Sequence, residues 1–365
     1  MAFNLAGCFV TLLTVLSAAP VFAEIEDNEE SGETEKALRI VPLITSSPLL
    51  GLGIGVTTSY LYNTKDEDSS KSQLQLGGQY SNTDSLSLFA KNNAFFKNNS
   101  IVSTTVLTYT SVNNEFSSDA EDVEYNVETV LADQIVIFKL AQDVFVGGQI
   151  IYKDIRHDPN NQEGEDFLID NGIVDEKSLG FGVVASYDTR KNKYFPSDAA
   201  WLTSKLNTNP SALGAIDSYS SLTIDARFYA PGCTHNAVWA SQIFGKYSTD
   251  KTPDTGLPTL SGKSLLRGFP AGQFKARYLT GAQSEYRYSI EDTRFRVTGF
   301  FGVANLSGGS IGTDSGSRHD DGWYYAGGIG LRYTIQQQTG VDVRLDIVST
   351  SENVQSLYLM LNQAF

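Results

Sequence analysis

Apolar and polar residues alternate along most of this chain, in stretches of nine to thirteen residues separated by clusters of Gly, Asn, Asp and Ser. Four stretches show it well. In Tyr219–Ala230, Leu222, Ile224, Ala226 and Phe228 point one way, and Thr223, Asp225, Arg227 and Tyr229 the other. In Trp323–Ile335, Trp323, Tyr325, Ile329, Leu331, Tyr333 and Ile335 oppose Tyr324, Ala326, Gly328, Gly330 and Arg332. In Val341–Val348, Val341, Val343, Leu345 and Ile347 oppose Asp342, Arg344 and Asp346. In Leu357–Phe365, Leu357, Leu359, Leu361 and Phe365 oppose Tyr358, Met360 and Asn362. A period of two is that of a β-strand, whose side chains leave opposite faces in turn.

Charges confined to one parity are what a membrane barrel requires, with lipid on one face and a polar lumen on the other. Lipid offers no partner to a backbone N–H or C=O, so the strands must close on themselves. A soluble sandwich also alternates, but its strands average about 5–6 residues, whereas about 9–11 cross a bilayer. About sixteen segments are expected, beginning near residues 37, 50, 70, 84, 99, 122, 141, 178, 198, 217, 235, 279, 294, 322, 339 and 354. This count places the long connections 156–177, 249–278 and 306–321 on one side, and short turns such as Lys139-Leu140-Ala141-Gln142 and Glu291-Asp292-Thr293 on the other. Long outer loops and short periplasmic turns are the usual asymmetry of such barrels.

The N-terminus breaks the pattern. Leu5 to Phe22 carry no charge, end in Val21-Phe22-Ala23 and give way to Glu24. That is the apolar region and cleavage site of a secretory signal over residues 1–23, although Met1–Asn4 holds no Lys or Arg. A membrane anchor would need about 20 apolar residues. A lipidated Cys8 would follow the apolar run rather than precede it. Residues 24–36 hold seven acids and one lysine and read as a solvated linker. The barrel is expected over residues 37–365.

The net charge of −15 and the absence of any Lys/Arg run exclude a nucleic-acid partner. With Cys8 in the signal, Cys233 alone remains, so no internal disulfide is expected. Gly308-Gly309-Ser310-Ile311-Gly312, with His319 and Asp320 nearby, matches a nucleophile pattern but lacks the strand–turn–helix that gives it meaning. His157, His235 and His319 are scattered, and the acidic run Asp158–Asp166 misses calcium-loop spacing, so neither a metal nor another cofactor is expected. Nothing calls for an enzyme; replacing Ser310 with alanine should change nothing.

Three passages resemble one family. Tyr187-Asp188-Thr189-Arg190, followed by Phe195-Pro196 and Trp201, is similar to a strand–turn–strand of the BamA/TamA superfamily, the bacterial surface antigen barrels. Leu265-Leu266-Arg267-Gly268-Phe269, followed by Glu285-Tyr286-Arg287, resembles its Arg-Gly-Phe loop and the strand after it. Gly327 to Arg332, then Arg344-Leu345-Asp346 and the final Phe365, resemble its last three strands in order and spacing. Residues 37–180 match only in the alternation and in Pro48, Gly51 and Gly53.

The resemblance implies a sixteen-stranded outer-membrane barrel whose loop carrying Arg267, Gly268 and Phe269 folds inward onto the lumen wall. A lumenal arginine needs carboxylates, and Asp225, Glu285, Asp342 and Asp346 share the inward parity. Gly328 and Gly330 leave room for a close backbone. Without the family, Arg267 would read as a solvated loop residue, and Asp188 with Arg190 and Pro196 as a braced turn. Leu357, Leu359, Leu361 and Phe365 resemble the C-terminal assembly signal of such barrels. The chain departs from the family in Gly302, which stands where an aspartate is usual, and in having only residues 24–36 ahead of the barrel. It therefore resembles the short subgroup without periplasmic POTRA domains. The implied function is outer-membrane biogenesis, with protein or lipid inserted or translocated at the seam between the first and last strands. A passive channel or structural surface barrel is the alternative. Implied partners are outer-membrane lipids including lipopolysaccharide, the barrel-assembly machinery that would insert the chain, and a periplasmic protein.

Overall fold

The computed structural model describes residues 38–361 apart from 48–50, 65–68, 119–120, 171–172, 194, 261–264, 270–273, 309–320 and 337–340. The expected signal, linker, Ser310, His319, Asp320 and terminal Phe365 lie outside the described residues. Sixteen antiparallel strands close into a barrel in which every strand pairs with its sequence neighbours and the last pairs with the first. They are β1 Leu38–Ser47, β2 Gly51–Tyr62, β3 Ser72–Ser81, β4 Leu86–Phe96, β5 Ile101–Ser118, β6 Glu121–Ala141, β7 Val144–Pro159 and β8 Glu176–Asp188. They continue with β9 Ala199–Asn209, β10 Tyr219–Pro231, β11 Ala237–Ser248, β12 Tyr278–Ser289, β13 Phe295–Ser307, β14 Gly322–Gln336, β15 Val341–Thr350 and β16 Gln355–Leu361. Every strand begins within three residues of its expected position.

Parity sorts the two faces. Ile224 and Phe228 on β10, Ile243 on β11 and Ile329 on β14 are exposed on the outer wall, as a lipid-facing surface requires. Their neighbours Asp225, Gln242 and Arg332 face inward. Outward polar groups satisfy one another. The Tyr62 hydroxyl donates to Asn92 Oδ1 (2.8 Å), and Thr105 Oγ1 donates to Gln134 Oε1 (2.6 Å) while Gln134 Nε2 donates to Ser103 Oγ (3.0 Å). Such pairing is what makes amides tolerable beside lipid, where an unmet donor is costly.

Three features differ from the expectation. Strands β5, β6 and β7 run 18, 21 and 16 residues, longer than a bilayer needs, so their ends stand clear at the end bearing the long connections, here called outer. The turn after β6 is Gln142-Asp143, with Asp143 at φ 59°, so Lys139 to Ala141 remain in the strand. The β7–β8 connection contains a helix, α1 (Gln162–Asp170), capped by the Asn161 side chain, whose Oδ1 accepts from Gly164 N at 2.7 Å. Phe167 of α1 stacks on Tyr125 of β6 at 5.8 Å, which anchors the helix to the protruding strands.

Candidate functional site in the lumen

The β11–β12 connection folds into the barrel instead of out into solvent. Its two limbs pair locally: Leu260 N donates to Phe274 O (3.0 Å), Ala276 N to Pro258 O (3.2 Å), and Thr259 bridges Lys275. Leu260, Leu265, Leu266, Phe269 and Phe274 are all at most 4% exposed and join Leu279, Phe300, Ala304, Leu306, Tyr324 and Val348 of the wall in the main buried cluster. Phe269 meets Phe274 and Tyr324 edge-on and those two rings are tilted against each other, with ring centroids 5.1–5.7 Å apart. The lumen of β11–β16 is therefore a packed core with the loop as its second layer.

Arg267 stands at the centre. Its Nη1 donates to Asp346 Oδ2 (2.9 Å) and its Nη2 to Glu285 Oε2 (2.7 Å), while its guanidinium carbon lies 3.5 Å from the Phe300 ring centroid. Glu285 also accepts from Arg287 Nε (2.8 Å) and lies 3.5 Å from Arg332 Nη2; Asp346 also accepts from Arg332 Nη1. Arg344 Nη1 approaches Asp346 at 3.9 Å. Four guanidinium groups thus share two carboxylates, and every member is at most 8% exposed at its side chain. Burial at this depth is stable only because each carboxylate is hydrogen-bonded by several donors.

Of the four acids expected around Arg267, the structure brings Glu285 and Asp346 to it and not the other two. Asp225 is held by Arg227, whose Nη2 donates at 2.7 Å, and by Gln242. Asp342 is held by Arg296 Nη1 at 2.6 and 2.7 Å. Both face inward, but salt bridges within the wall neutralise them first. Gly302 has a physical role: a Cβ there would come within 2.5 Å of Leu266 and 2.7 Å of the Gln283 Cβ, so Leu266 fills the space an aspartate would need. Gly328 and Gly330 lie under the same network; a Cβ on Gly330 would run into the Arg332–Asp346 pair. Sequence reading gave Arg332 and Arg344 the inward parity without assigning them a role, because a loop partner cannot be read from strand alternation.

Gly268 turns the chain between Arg267 and Phe269 at φ +97°, and a Cβ there would collide with Thr350 and stand 3.1 Å from Val348 Cγ1. Gly268→Ala should therefore lower the stability of the docked loop by at least about 1 kcal/mol, from backbone strain alone. Limited proteolysis of the loop is the measurement; protection equal to wild type would contradict the packing described.

At the opposite end, Asp188 accepts from Arg190 N, Nε and Nη2 (2.9–3.0 Å) and lies 3.0 Å from Lys193 Nζ. Arg190 and Arg227 both lie against the Trp201 ring, at 3.8 and 4.6 Å from its centroid. Burial pulls the Lys193 ammonium below its ordinary pKa, against the opposing pull of Asp188. Pro196 is buried, and the neighbouring Phe195 ring lies 4.0 Å from the Arg296 guanidinium on β13. The motif braces a turn that reaches across the mouth of the barrel.

The profile of the Omp85 superfamily domain matches residues 53–336. The chain belongs to the Omp85 superfamily. Solved structures agree on the fold. BamA from Haemophilus ducreyi lacking POTRA domains 1–3 superposes with a TM-score of 0.54 at 13% identity, over 99% of this chain and 79% of that one. CdiB from Escherichia coli gives 0.62 at 12%, over 91% and 63%. CdiB from Acinetobacter baumannii gives 0.62 at 12%, over 90% and 60%. The chain thus spans under two thirds of either CdiB chain. No curated protein matches the sequence.

As an Omp85 barrel, the protein is an outer-membrane β-barrel whose cylinder closes at one seam. Among the described residues only Ile44–Leu359, Thr45–Tyr358 and Ser46–Leu357 pair β1 with β16, against ten pairs between β1 and β2 and seven between β15 and β16. All three pairs lie toward the outer end. Below them β1 carries Pro42, which has no N–H to give a neighbour and is a residue of sheet edges. Pro42 is a feature that strand counting overlooked; a proline inside an alternating first strand was its signal. Leu357 and Leu359 of the expected assembly signal sit in this seam, half-buried; the Leu361 side chain lies outside the described residues.

Proposed function

We propose that this barrel acts in outer-membrane biogenesis, admitting protein or lipid at the β1–β16 seam. The observation that carries the reading is the three-pair closure. Among the described residues, Leu43 and Pro42 of β1 stand opposite Met360 and Leu361 without pairing to them, and backbone groups left unpaired there are ones that an incoming strand could satisfy, by the strand addition that any open sheet edge invites. Lipid beside such an edge is poorly matched, since it cannot meet the exposed groups. No cofactor or catalytic residue is needed. On this reading the partners are the surrounding lipids, lipopolysaccharide among them, client barrels and a periplasmic protein that delivers them. The barrel-assembly machinery would insert the chain itself, after cleavage of its signal.

The test is a lock. In a Cys233→Ser background, Ile44→Cys with Leu359→Cys places two thiols on directly opposed residues. Proteoliposomes containing the full chain should speed the folding of a small unfolded outer-membrane barrel, followed by gel mobility without boiling. Oxidation of the pair should abolish that gain and reduction should restore it. Pro42→Val, which returns an N–H to the edge, should slow the reaction without locking it. If wild-type protein neither aids a client nor disturbs the lipid, the proposal fails. If the lock changes nothing, the seam is not the site, and a passive barrel is the better account.

A further inference from the structure

The docked loop seals only part of the lumen. Glu285, Arg332 and Asp346 beneath it are 0% exposed, whereas inward residues of β4 to β7, β9 and β10 stay half-exposed, as does Lys246 beyond the packed part of β11. On this open wall the charges do not cancel. Arg227 is paired with Asp225, and Lys153 lies 3.3 Å from Glu176, which also accepts from Thr255. Three further lysines point inward by parity: Lys91 beside Phe89 on β4, Lys205 beside Thr203 on β9 and Lys246 beside Phe244 on β11. Their outward neighbours Leu88, Leu206 and Tyr247 are exposed to lipid.

Among the described residues none of the three lysines is in an ion pair or a hydrogen bond. Lys205 and Lys246 lie in one register row, both opposite Thr223 of β10, one strand on either side of it. That sets their backbones about 10 Å apart, two strand spacings. Against the three stands, among the described residues of this wall, one carboxylate outside any salt bridge, Asp133 of β6, which accepts from Gln149 Nε2 at 2.7 Å and offsets part of the Lys205 charge. The open wall therefore carries an excess of positive charge in a chain whose net charge is −15. Lys91 is exposed and Lys205 and Lys246 half-buried, so all three can meet an ion that enters the lumen.

We propose that the open side of the lumen is a path for small anions, with Lys91, Lys205 and Lys246 setting its charge selectivity. Like charges facing one water-filled, low-dielectric passage concentrate the opposite ion, and rings of Lys or Arg are how anion pores select. The pairs at Arg227 and Lys153 keep the rest of the wall neutral, which leaves the three lysines to decide the sign. The path uses the lumen and not the seam, so it stands or falls separately from the insertion reading.

The test uses the purified full chain in planar bilayers under a KCl gradient at low ionic strength, where surface charge is least screened. Wild type should conduct with a reversal potential on the chloride side, corresponding to a preference of about tenfold over potassium. Lys205→Glu with Lys246→Glu should move the reversal potential to the potassium side, and Lys91→Glu should shift it the same way by less. Lys205→Gln with Lys246→Gln, which removes the charge and keeps a polar side chain one atom shorter, should remove most of the preference; it serves if the reversed pair fails to give a heat-modifiable barrel. A wild type that does not conduct, or that prefers potassium, overturns the proposal. So does a selectivity that folded variants at these positions leave unmoved.

Discussion

Arg267→Ala should release the inward loop while leaving the barrel folded. Two charge-assisted hydrogen bonds are lost, each worth about 1.5–3 kcal/mol, together with the contact to the Phe300 ring. Neither carboxylate is stranded. Glu285 keeps Arg287 at 2.8 Å, and Asp346 keeps Arg332. The balance even improves, from four guanidinium groups over two carboxylates to three over two. What remains to hold the loop is apolar: Leu260, Leu265, Leu266, Phe269 and Phe274, each worth about 1.5–3 kcal/mol when fully buried. Ordering the loop costs about 1–2 kcal/mol per residue, so docking is a small difference of large terms and a loss of about 3–6 kcal/mol decides it. Protease added to the outer face should cut within 249–277 in the variant and not in wild type. The heat-modifiable band should persist in both. Arg267→Lys should fall between, because an ammonium cannot span two carboxylates as a planar fork does. A variant loop as resistant as wild type would show that the apolar anchors suffice and that Arg267 is not what holds it.

Much of this fold was legible because a bilayer imposes one simple rule. Lipid on one side forces a period of two, and each strand start fell within three residues of its expected position. The rule fails where lipid ends. Past the membrane both faces of β5 and β6 meet water, so Asn113, Asn114, Asn126 and Glu128 no longer alternate against apolar residues, and the strand ends ran on unseen. The helix Gln162–Asp170 escaped for a related reason: only Gly164 and Leu168 are buried, too little to mark an apolar stripe. Parity assigned Asp225, Glu285, Asp342 and Asp346 to the inner wall. It could not choose among them, because Arg227 and Arg296 compete for two of the four, and which arginine wins depends on register between strands that lie far apart in sequence. The seam was placed from topology alone. Its short closure, three pairs above Pro42 among the described residues, belongs to a pairing between opposite ends of the chain that no local pattern reports.

Glu285→Ala should be far more damaging than Arg267→Ala, although the two residues share a hydrogen bond. Glu285 serves Arg267, Arg287 and Arg332 at once and is 0% exposed. Without it four guanidinium groups are left with Asp346 alone, in a space that has no room to hydrate them. Breaking one buried pair typically costs about 3–5 kcal/mol; losing the acceptor shared by three donors belongs at the upper end of that range or beyond. The expected result is a barrel that accumulates poorly and shifts to its unfolded mobility at markedly lower temperature. Glu285→Gln, which fills the space without the charge, should do little better, because an amide places donors against guanidinium groups. Adding Arg267→Ala to Glu285→Ala removes one of the stranded cations, so the double variant should be less unstable than the two single losses sum to, as groups in one network are not additive. The temperature of the mobility shift, measured across the four proteins, decides it. If Glu285→Ala is as stable as Arg267→Ala, the carboxylate is not the hub of the network. If the double variant shows the full sum, the two side chains are not coupled, and the loop is docked by its apolar residues alone.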